Sequence, residues 1–98
     1  MNASLSTSPT INTTQRLALT DYYQEQPRKD AIVLHFTAGT TASGAIATFR
    51  RPGHVATPYV VDRDGSIYEL FPPEHWAHHL GISGDRLYLQ DKRTVGIE

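Results

Sequence analysis

Cysteine is absent from the 98 residues, which removes both a disulfide framework and a thiolate metal cluster. Any metal would have to rest on imidazole and carboxylate. Long apolar runs are missing too: nothing approaches the roughly 18 residues of a membrane-spanning helix, so no membrane span is expected. Nor is there a surplus of one charge, because nine Lys and Arg stand against ten Asp and Glu, for a formal charge of −1. A phosphate-binding surface needs a basic face, so nucleic acid is not an expected partner. The start, Met1-Asn2-Ala3-Ser4-Leu5, carries neither the basic residues nor the apolar stretch of a secretory signal, and leaves the localisation unassigned. What remains is a composition with 39% hydrophobic and 19% charged residues, enough for one globular domain with a modest core.

Residues 1–14 are mostly Ser, Thr and Asn, with little apolar surface to offset the entropy of ordering them, and residues 1–20 are read as a flexible tail. Residues 21–98 are read as the folded part. Its lead-in is polar apart from the Tyr22-Tyr23 pair, which can pack. Ala31 to Phe36 is a short apolar run between charged and small residues, the pattern of a buried strand. Period two puts Ile32, Leu34 and Phe36 on one face, with Val33 and His35 on the other. Thr40 or Thr41 can cap a helix carrying Ile46 and Phe49, which Arg50-Arg51-Pro52-Gly53 ends. Tyr59 to Asp62 and Ser66 to Leu70 flank Arg63-Asp64-Gly65, where Asp-Gly supplies the positive backbone angle of a hairpin turn. Thr94 to Glu98 reads as a last strand, with an edge that nothing in the sequence covers. The set predicts an α/β or α+β fold, a mixed β-sheet flanked by helices.

His35 draws attention because it sits near the C-terminal end of a strand, where α/β sheets place their sites. Taken alone, a strand histidine is more often a hydrogen-bonded, half-buried residue than a ligand. His75, His78 and His79 surround Trp76. Adjacent His78 and His79 point opposite ways in an extended segment and cannot both face one ion without a bend, so the stretch reads as substrate contact or packing, with Trp76 offering a stacking surface for sugars or peptides. Glu98 alone has nothing local to distinguish it, and His54 beside Gly53 reads as a surface residue.

In combination, four segments carry a resemblance. They are Ile32-Val33-Leu34-His35-Phe36-Thr37-Ala38-Gly39, Pro58-Tyr59-Val60-Val61-Asp62-Arg63-Asp64-Gly65-Ser66-Ile67-Tyr68, Trp76-Ala77-His78-His79-Leu80-Gly81-Ile82-Ser83 and Thr94-Val95-Gly96-Ile97-Glu98. In this order they resemble the N-terminal half of the zinc-dependent N-acetylmuramoyl-L-alanine amidases of the peptidoglycan-recognition type. The resemblance implies that His35 is a zinc ligand and Glu98 the catalytic acid/base. It also implies that His79 contacts a peptidoglycan or muropeptide substrate, and Trp76, through its stacking surface, and Thr37, which opens a small-residue loop that lets a substrate approach, are the other expected contacts. Amide hydrolysis suits those residue types, since a poor electrophile with a poor leaving group needs a Lewis acid and a proton-carrying carboxylate. An enzyme of this kind would degrade cell wall in the periplasm or outside the cell, as endolysins do, after lysis or specialised secretion.

Two departures follow. Pro58 stands where many family members have a histidine. The family's other two zinc ligands, a histidine and then an aspartate, cysteine or histidine, lie beyond the Gly-Ile-Glu strand, so a C-terminal half of the amidase domain, in the same or a separate chain, is an expected partner. The alternatives are a non-catalytic peptidoglycan-binding module or an inactive fragment.

Overall fold

A computed structural model describes residues 10–36, 41–81 and 88–98. Among these, five strands form one mixed sheet: β1 (Ile11–Asn12), β2 (Ala31–Leu34), β3 (Tyr59–Val61), β4 (Ile67–Glu69) and β5 (Thr94–Ile97), in the order β1-β4-β3-β5-β2. Two helices join them, α1 (Ala42–Phe49) and α2 (Tyr88–Arg93). The architecture is α/β, as the sequence predicts.

Each element has a local cause. The hairpin β3–β4 is antiparallel and turns at Gly65, whose φ of 89° suits a residue without a Cβ. Thr41 caps α1, its hydroxyl accepting from the Gly44 amide at 3.2 Å. Ala42, Ile46 and Phe49, at helical spacing, turn inward from α1 to join Val60, Leu70, Phe71 and Ala56 in the core. Tyr22 stacks on Phe71 with centroids 4.7 Å apart, so the lead-in does pack through its tyrosines.

Three expectations meet a different structure. The Thr94–Glu98 segment has no open edge, because β5 runs parallel to β2 on one side and to β3 on the other. On that side the outer strand is β2, which is not the buried strand its apolar run predicts: as an edge strand it has a neighbour on one side alone and leaves Ile32, Leu34 and Phe36 exposed. Residues 10–20 also depart from a tail: Ile11–Asn12 pairs in parallel with β4, the Leu17 amide donates to the Leu70 carbonyl at 2.8 Å, and the Leu17 side chain is buried. One leucine and a short ladder anchor this stretch in spite of its polar composition. No helix among the described residues is long and apolar enough to cross a membrane.

Candidate active site at the strand ends

Register decides what meets at the sheet's C-terminal rim. Leu34 lies level with Ile97, and Ile97 with Tyr59, so these three share one face. One step on, the Glu98 amide donates to the Tyr59 carbonyl at 3.0 Å and the Val61 amide to the Glu98 carbonyl at 2.9 Å, which sets Glu98 opposite Val60. The His35 amide donates to the Ile97 carbonyl at 2.8 Å. His35 and Glu98 therefore end adjacent parallel strands on the same face, the one carrying Gly96 and the buried Val60. Both line an open hollow of about 470 Å³ with Phe36, Val61 and Arg63, at the strand ends where α/β sheets bind ligands.

The histidine-rich segment divides as its extended backbone requires. His78 turns one way, its Nδ1 3.1 Å from Asp91 Oδ2 and its Nε2 3.3 Å from the Tyr23 hydroxyl. His79 turns the other way, its Nδ1 2.9 Å from His35 Nε2 and its Nε2 2.9 Å from Thr94 Oγ1. Asp91 holds the segment in place: although 1% exposed, its Oδ1 accepts from the His79 amide at 2.9 Å and the Leu80 amide at 3.0 Å. Burial alone would raise the Asp91 pKa, but the His79 and Leu80 amides and the His78 imidazole outweigh it and hold the carboxyl below its ordinary value. His79 moves down to about 4, chiefly because burial penalises the charged imidazole.

Gly96 makes this arrangement possible. A Cβ there would lie 2.8 Å from Thr57 Cγ2 and 2.9 Å from His79 Nδ1, so the His79 ring rests against bare backbone of β5.

Of the two readings of Trp76, its surroundings favour packing. It is 7% exposed, Tyr23 stacks on it at 4.2 Å, Lys92 Nζ lies over it at 5.3 Å, and its Nε1 donates to Glu25 Oε1 at 2.9 Å. That indole is part of the interior and presents no open face to a sugar. His54 likewise is half-buried and stacks on Tyr23 at 4.5 Å, with a φ of 56°. Thr37, the other expected substrate contact, and the small-residue loop after it lie outside the described residues, as do Ile82 and Ser83. Asp91, Thr94 and Gly96 emerge from the structure alone. Thr94 and Gly96 stand in the closing segment of the resemblance, but Asp91 has no sequence signal, since a carboxylate among Gln90, Lys92 and Arg93 reads as a solvated helix face.

As a place for zinc, the rim offers the His35 imidazole as a donor, with the Glu98 carboxylate on the same face free for proton transfer. No group of three ligating side chains occurs among the described residues, so these alone do not complete a zinc site.

Fold and site together define a mixed α/β protein with an imidazole and a carboxylate gathered at its strand ends. The family model described as N-acetylmuramoyl-L-alanine amidase matches residues 24–98, and the chain belongs to that family. No curated protein and no solved structure matches it.

Proposed function

We propose that this protein hydrolyses the amide between the lactyl group of N-acetylmuramic acid and L-alanine in peptidoglycan, with Glu98 as acid/base and His35 as one ligand of a zinc ion. The observation that carries the proposal is the placing of His35 and Glu98 on one face at the ends of adjacent parallel strands, in a chain matched by the amidase family over residues 24–98. In this reading the remaining ligands come from the C-terminal half of the amidase domain, in the same or a separate chain. Zinc would supply Lewis acidity to the amide carbonyl and to water. Glu98 takes a proton from the attacking water and returns it to the departing nitrogen. The new carbon–oxygen bond leaves a lactyl carboxylate, and the broken carbon–nitrogen bond frees the amine of L-alanine.

The second reading is a binding module that holds peptidoglycan without cutting it. Digestion of purified peptidoglycan with zinc present, followed by mass spectrometry, separates the two. Fragments with a free lactyl carboxylate and peptides beginning with L-alanine support the hydrolase; intact peptidoglycan sedimenting with the protein supports the binder.

A further inference from the structure

The hydrogen bonds around His79 have a direction that can be worked out from their far end. Thr94 has one hydroxyl proton, and its Oγ1 lies 2.6 Å from the Gln90 carbonyl oxygen, which can only accept. The proton is committed there, so towards His79 Nε2, 2.9 Å away, the Thr94 oxygen acts as acceptor and His79 must donate. A neutral imidazole carries one N–H. With its proton on Nε2, His79 has a lone pair on Nδ1, and that lone pair meets His35 Nε2 at 2.9 Å. His35 then donates through Nε2, which leaves its own Nδ1 bare.

We infer that Thr94 and His79 form a relay that holds the His35 proton on Nε2 and makes Nδ1 the nitrogen His35 presents to a metal. His79 is thus a positioning residue, not a substrate contact. Its ring is fixed independently of His35, by the Asp91 carboxylate on its own amide and the Leu80 amide, and by the bare backbone of Gly96 beneath it. A histidine that ligates through one nitrogen is commonly oriented by a hydrogen bond from the other, and the relay supplies that bond. The consequence for metal binding rests on the amidase reading, but the relay itself is readable in metal-free protein.

The test is nitrogen-15 NMR of the imidazoles in the full chain without metal at neutral pH. The relay predicts a His35 with its proton on Nε2, exchanging slowly with solvent. Exchange of that proton should quicken roughly 2–10-fold in His79→Phe, as loss of one hydrogen bond implies. It should stay slow in His79→Asn, whose side-chain oxygen can stand near the Nδ1 position. Thr94→Val leaves both imidazoles in place and should also quicken exchange, by freeing His79 to shift its proton. Should His79→Phe unfold the chain, Thr94→Val decides. A His35 proton found on Nδ1, or a slow Nε2 proton indifferent to Thr94→Val, overturns the relay. Zinc added to the wild type should move the His35 Nδ1 resonance; a shift at Nε2 instead overturns the relay, whereas an intact relay with no zinc response counts against the amidase reading alone.

Discussion

Asp91 shows how one side chain can hold a site together. Its carboxylate takes hydrogen bonds from two backbone amides and the His78 ring, in a position 1% exposed. Asp91→Ala removes all three and leaves two amides without their partner, and we expect a loss of about 2–4 kcal/mol of stability, measurable by urea denaturation. Acid should act through the same cluster. The His79 pKa lies near 4 in the fold against an ordinary 6.5, so the unfolded chain binds more protons between those values. That part of the stability is complete above about pH 6.5 and is lost as the pH falls towards 4. Asp91 adds a loss in the same direction at lower pH, because its carboxyl is also depressed in the fold. Melting temperatures followed from pH 7.5 downwards should decline through this window, and His79→Asn should flatten the upper part of the decline.

Among the elements, β5 ties the site together: it sits between β3 and β2, carries Thr94 of the relay, bears Gly96 under His79 and delivers Glu98 to the rim. Gly96→Ala would drive a methyl group to within 2.9 Å of His79 Nδ1, so the His35–His79 hydrogen bond should break, at a stability cost of about 1–3 kcal/mol. Exchange of the His35 ring proton and a denaturation curve would report both effects. Much of this was legible beforehand. The Asp64-Gly65 turn, the Thr41 cap and the apolar runs of β2 and β5 are local signals, and they surface as a hairpin, a capped helix and two adjacent strands, although β2 lies exposed at the sheet edge where its run reads as buried. The rest depends on contacts distant in sequence. Asp91 is held by residues 78–80, and Trp76 loses its open face to Tyr23 from the lead-in and Lys92 from α2. Ile11–Asn12 is too short to show any period, so its pairing with β4 could not be read from composition.

At the scale of the molecule the sheet has two unlike faces. One carries Val60 into the core at 1% exposed; the other shows Ile32 at 66%, Leu34 at 76% and Val61 at 46%. Leu34→Ala should therefore change stability by no more than about 0.5 kcal/mol, while Val60→Ala should cost about 1–3 kcal/mol, both read from denaturation midpoints. The site lies at the rim where the two faces meet, on strands whose register brings His35 and Glu98 level. That these two residues work as a unit in amide hydrolysis is the central claim. The most direct measurement is the rate at which new L-alanine amino groups appear from peptidoglycan with zinc present, for wild type, His35→Ala, Glu98→Gln and the double variant. Glu98→Gln should lower the rate by roughly 10²–10⁴-fold, and the double variant should be no slower than the slower single one. Unchanged release by Glu98→Gln, or losses that simply multiply in the double variant, would contradict it.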